Sequence, residues 1–224
     1  MVFYIIAILL RYITEYTSLA SHLGNQYYEI LTGCGPVIGA IVASKLFHIP
    51  IPLTLGGKFR NTFIPFCIYW LLPIGLLSIY HYITSGEVSI ILVFTILVYG
   101  LCEEIGWRGF LRETLKPLPK FTGIVVLTLL WYVWHLNFGF DSAHFLFFGI
   151  LLLGSWGLGI VADKTKSLLA LAAFHSLNNF FSDVDIVRAV ILIVLAAVWI
   201  VAIVFLGRGE RKKVADVEFD NSSA

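Results

Sequence analysis

Long apolar runs, broken by short clusters of Gly, Pro and charge, dominate the chain from its first residues. Taken between the breaks, they predict eight helices at about 2–21, 30–47, 62–83, 88–111, 121–137, 144–162, 167–182 and 186–206. A spanning helix needs roughly 20 apolar residues, so the pattern predicts an all-α, polytopic transmembrane bundle of seven or eight spans. The first run carries Arg11 and Glu15 on one side and is expected to tilt or to lie partly in the interface. Residues 1–206 read as one integral membrane domain. Residues 207–224 turn charged and small-polar without an apolar stripe, as a disordered cytoplasmic tail would.

Composition sharpens this picture. Of the 224 residues, 59% are hydrophobic and 13% charged, and the mean hydropathy is +0.90. Soluble domains hold roughly 45 to 50% apolar and about 25% charged residues, so a soluble globule of this size is excluded. Fifteen Lys and Arg against fourteen Asp and Glu leave a net charge of +1, which offers no basic field for nucleic acid. Membrane lipid is the expected partner.

Met1–Leu10 has neither a preceding basic region nor a small-residue cleavage site, and reads as a retained helix rather than a signal peptide. Cys34, Cys67 and Cys102 all lie in apolar runs with no CxxC pair and read as small core residues. Cytoplasmic loops are enriched in Lys and Arg. Lys45, Lys58 and Arg60, then Arg112, Lys116 and Lys120, then Lys164 and Lys166, then Arg208, Arg211, Lys212 and Lys213 fall on one side of the predicted bundle. Only Arg188 falls opposite, so both termini are expected in the cytoplasm. Gly35 and Gly39, and Gly154, Gly157 and Gly159, are expected to let helices approach closely.

Ionisable groups in a bilayer cost several kcal/mol each and are functional hypotheses by default. The fourth predicted helix carries Glu103, Glu104 and Arg108 inside its apolar run. Glu104 and Arg108 are four apart and share a face, where pairing lowers the cost of burying both. Glu103 points about 100° away. A structural Glu104–Arg108 pair with Glu103 snorkelling to the membrane edge is the plainer alternative. The fifth helix supplies Trp131, Trp134 and His135, and the seventh supplies His175 and Asn179, again four apart. The remaining histidines, His22, His48, His81 and His144, fall at helix ends or loops and read as structural. Two intramembrane histidines, an Asn one turn from the second and a Glu-Glu pair can hold a water between base and oxyanion donors. Measured from the predicted helix ends, however, Glu103 and His175 lie about 12 Å deep and His135 about 20 Å, so a shared site requires the fifth helix to start late or to tilt.

Glu103-Glu104-xxx-Arg108, an aromatic-xxx-His135 and His175-xxx-Asn179, in that order on successive apolar helices, resemble the CAAX prenyl protease and bacteriocin-processing family of intramembrane proteases. The flanks Trp107-Arg108-Gly109-Phe110-Leu111 and Trp134-His135-Leu136 are similar to its prokaryotic branch, which would place the chain in a plasma membrane. The resemblance covers about 88–182. One departure is Trp131, where the family usually has Phe; it bears on pocket shape more than on catalysis.

The resemblance implies a central, conical catalytic cavity and peptide-bond hydrolysis near the C-terminus of a prenylated protein, or in a hydrophobic peptide precursor. Carried over, Glu103 activates the water with help from His135, His175 and Asn179 stabilise the oxyanion, and Glu104 and Arg108 orient the site. Glu103, His135 and His175 also match a catalytic zinc set with an open fourth position, although no HExxH is present; the resemblance does not choose between Zn2+ and metal-free glutamate chemistry. Two readings compete with a protease. One is a scaffold or bacteriocin-immunity protein that binds a membrane partner without cleaving it. The other is a transporter using the same residues as a proton relay, against which stands the lack of any inverted repeat. A rhomboid-like reading rests only on Gly154-Ser155-Trp156-Gly157. A presenilin-like one fails because Asp141, Asp163, Asp183 and Asp185 all fall in predicted loops.

Overall fold

The computed structural model describes residues 1–17, 25–57, 59–86, 90–180, 186–191, 193–195 and 197–198. The tail at 207–224, His22, and much of the helix expected at 186–206 lie outside the described residues.

The described residues are helical nearly throughout. Helix α1 is Val2–Tyr16 and α2 is Asn25–Phe47. Helix α3, Phe59–Phe66, runs through a π-helical turn, Cys67–Leu71, into α4, Leu72–Ser85. Helix α5, Ile90–Glu104, continues through a second π-helical turn, Ile105–Leu111, into α6, Arg112–Thr114. Then follow α7, Lys120–Trp134, α8, Ser142–Thr165, and α9, Leu168–Phe180. The chain is helical again at 186–191.

Local chemistry sets the ends. Gly86, at φ 75°, takes the left-handed conformation that terminates α4. The Pro117 and Pro119 pair interrupts the chain between α6 and α7. Asp141 caps α8, its carboxylate accepting from the His144 amide at 3.1 Å and bonding its ring Nδ1 at 2.7 Å. These bonds hold the Asp141 carboxyl below the usual carboxylate range. Between α2 and α3 the loop straps across the joint of α8 and α9, where Thr54 accepts from the Leu168 amide at 2.9 Å and donates to the Lys166 carbonyl at 3.2 Å.

Three of the described helices are long and apolar enough to cross a membrane: Ile30–Phe47, Ile90–Thr114 and Ser142–Thr165. Helix α7, with 15 residues, is about 22 Å long against a hydrocarbon core of about 30 Å. Other boundaries also differ from the hydropathy pattern. Helix α7 ends at Trp134, so His135 is its C-cap and Asn137 lies beyond it; α8 extends to Thr165 and takes in Asp163, expected in a loop.

Small residues set the helix spacing around the site. A Cβ at Gly35 would stand 2.6 Å from the Ala7 carbonyl oxygen, and one at Gly39 2.5 Å from that of Phe3, so α1 lies directly on α2. At Gly106, inside the second π-helical turn, a Cβ would come 2.7 Å from the Pro36 oxygen of α2, and one at Gly100 would come 3.1 Å from the Ala172 oxygen of α9. Gly154, Gly157 and Gly159 do not act this way: added Cβ atoms there meet nothing closer than 3.6 Å. Phe3, Phe110, Trp107 and Trp134 interlock in the core, with ring centroids 5.3 to 5.7 Å apart.

Candidate active site

The second π-helical turn begins one residue after Glu104, within the motif. Such single turns gather at functional sites because an extra residue in the turn re-aims the side chains beside it. Glu103, Glu104 and Arg108 are all 0% exposed, so Glu103 does not snorkel.

Glu104 is the hinge of the polar cluster. Its Oε1 accepts from Arg108 Nη1 at 2.8 Å and from His175 Nδ1 at 2.6 Å. A carboxylate only accepts, so His175 Nδ1 carries a proton and Nε2 is turned towards Glu103, 4.0 Å from its Oε1. That oxygen makes no hydrogen bond among the described residues. The other Glu103 oxygen, Oε2, accepts from two indoles, Trp131 Nε1 at 2.8 Å and Trp107 Nε1 at 3.1 Å. Oε2 is therefore anchored by the indoles, while Oε1 faces the His175 ring.

Trp131 touches every part of this arrangement. Besides its bond to Glu103, the Arg108 guanidinium lies 4.2 Å over its ring. The His175 and His135 rings pack against it at 5.5 and 5.7 Å. The departure from Phe expected to alter pocket shape thus adds a hydrogen-bond donor to Glu103. His135 is half-buried, with Nδ1 2.8 Å from the Trp131 carbonyl, which again puts the proton on Nδ1 and leaves Nε2 as its free nitrogen.

Against Glu103 the expected depth mismatch narrows, from the opposite side to the one anticipated, whereas His175, seven residues into α9, remains about 12 Å shallower than His135 by the same measure. Helix α7 starts at Lys120, not late, but the α5–α6 helix runs on to Thr114. Glu103 then lies about 16 Å from that end and His135 about 22 Å from Lys120. Asn179 follows His175 by one turn on α9 and is half-buried. Ser155, weighed only as a failed rhomboid nucleophile, accepts from Arg108 Nη2 at 3.5 Å and so joins α8 to the cluster. Neither it nor Trp107 carried a signal in spacing, because their partners come from other helices or from an i+4 contact between unlike residue types.

Among the described residues, no three His, Cys, Asp or Glu side chains form a group that could hold a metal ion. Glu103 faces His175, while His135 packs on the Trp131 ring; the three candidate ligands do not form a closed set.

Residues 85–181, from the end of α4 through α9, match the family model of the Rce1-like type II CAAX prenyl endopeptidases. The match agrees with the motif resemblance. No curated protein and no solved structure matches the chain. The matched segment contains the whole Glu103, Glu104, Arg108, His135, His175 and Asn179 set. At the level of the family it supports an intramembrane endopeptidase built on an all-α bundle.

Proposed function

We propose that this Rce1-like protein is a multi-pass membrane protease that hydrolyses a peptide bond near the C-terminus of a prenylated protein or in a hydrophobic peptide precursor. The observation that carries the reading is the 4.0 Å separation between Glu103 Oε1 and His175 Nε2. Both atoms sit in a buried, pre-ordered setting, where one water oxygen about 2.8 Å from each would bridge them. Glu103 Oε1 takes a proton from this water as its oxygen attacks the carbonyl carbon. His175, doubly protonated between the two glutamates and anchored at Nδ1 by Glu104, presents Nε2–H to the developing oxyanion, and Asn179 adds an amide donor. The proton on Glu103 then passes to the departing amine, which restores the carboxylate. Arg108 balances the Glu104 charge and keeps His175 in place. His135 uses its free Nε2 to hold the water or the leaving group.

The test is hydrolysis of a fluorogenic prenylated CAAX peptide and of a panel of unmodified hydrophobic peptides by the purified protein, beside Glu103→Gln. Cleavage by the wild type and loss in the variant is expected. A folded wild-type protein that cleaves none of them would move the reading to a membrane-partner scaffold. A chelator arm asks whether a metal joins Glu103 and His175: full activity in its presence is expected.

A further inference from the structure

A cavity of about 420 Å³ opens between the α6–α7 connection and helices α7 and α8 and is lined in part by Ser155, the hydrogen-bond partner of Arg108. Its size lies in the range of small-molecule sites. Three of its lining residues, Arg112, Lys116 and Lys120, are cations, and Asp163 is the one lining carboxylate. Arg112 is set in position by Asp163, Nη2 to Oδ2 at 2.8 Å, and passes close over Gly159, whose missing side chain leaves the room open. Lys116, its side chain 57% exposed, pairs with the largely buried Glu113. Below this basic rim the wall is apolar, with Leu127, Trp156 and Ile160 among its residues. Trp156 and Leu118 are themselves exposed, at 53% and 40%. The rim is also one of the basic loops that the charge distribution places at the cytoplasmic membrane face.

We propose that this cavity binds one anionic phospholipid, with its phosphate among Arg112, Lys116 and Lys120 and its acyl chain along the Leu127–Trp156–Ile160 wall. Basic pockets between transmembrane helices at the cytoplasmic face suit such head groups, and the two long lysines can bend to the phosphate while their stems stay on apolar surface. A soluble anion would use the rim but leave the wall wet. A neutral lipid would use the wall but leave the rim, three cations against Asp163 and Glu113, with an unmatched positive charge. The base of the cavity is Ser155, 5% exposed, which accepts from Arg108; the lipid therefore sits behind the polar cluster, not in it.

The experiment needs no substrate and does not depend on the protease reading. Thermal unfolding of the full protein in neutral detergent is followed with added phosphatidylglycerol, with phosphatidylcholine at the same mole fraction, and with inorganic phosphate. Phosphatidylglycerol should raise Tm by about 5 °C, with little change from the other two. In Lys116→Gln/Lys120→Gln, both exposed positions, the starting Tm should hold and the shift should disappear. Equal shifts from the two lipids, a shift that survives in the double variant, or a shift reproduced by inorganic phosphate would each overturn the proposal.

Discussion

Arg108 and Arg112 stand about one helical turn apart in one continuous helix, and each brings a guanidinium nitrogen to 2.8 Å from a carboxylate oxygen. By distance the two pairs are the same. By setting they are opposites: Arg108 and Glu104 are 0% exposed, whereas the Arg112 and Asp163 side chains are 22% and 49% exposed. Water competes for the outer pair and leaves it little net worth. The inner pair has no such alternative, so removing one member strands the other as a buried charge. The outer pair shapes a cavity rim; the inner pair fixes His175 and, through it, the gap beside Glu103.

The largest expected effect is on the inner pair. Arg108→Ala should destabilise the fold by about 3 to 5 kcal/mol, read as a loss of folded protein or a large fall in unfolding midpoint. Glu103→Gln should leave folding nearly intact, because the amide oxygen can still accept from the two indoles, while hydrolysis falls about 10²- to 10⁴-fold. Trp131→Phe separates ring from donor. It keeps the aromatic packing and loses only the 2.8 Å bond to Glu103, so activity should fall about 10- to 100-fold, the range seen when a supporting hydrogen bond is lost, with a smaller change in stability. Asp163→Asn, which weakens the outer pair, should cost less than about 1 kcal/mol and leave hydrolysis within a few fold of wild type. A loss as large as that of Arg108→Ala would erase the distinction between the two pairs.

The smallest effect is local to the start of α8. The Asp141 carboxyl titrates below the usual carboxylate range because it bonds His144. The cap's contribution is therefore fully present above that range and is lost only as pH falls through the lowered folded-state value. Hydrogen exchange at the His144 amide should stay protected on mild acidification and become fast only in stronger acid, or at once in Asp141→Ala.

The hydropathy pattern located the helical segments because burial in lipid or core demands long apolar runs whatever their contacts. It placed the motif residues on the right helices for the same reason. Ends were less legible: α7 stops at Trp134 although apolar and aromatic residues continue, and α8 runs on through Asp163, whose partner Arg112 lies 51 positions away. The π-helical turn after Glu104 has no sequence marker, and within it Gly106 fits closely on Pro36. The motif pattern brings Glu103 and His175 together on paper, but it marks Trp131 only as bearing on pocket shape and Trp107 only as part of a family-like flank. The Trp131 N–H meets its acceptor only once the partner helix is in place.

The measurement that bears most directly on the Glu103–His175 gap is the ratio of kcat/KM between wild type and Glu103→Gln on whichever peptide the wild type cleaves, with matched unfolding curves for the two proteins. A fall of at least about 100-fold at unchanged stability is expected if Glu103 is the base. Activity within a few fold of wild type would show that the water is activated elsewhere and that the buried glutamate pair is structural.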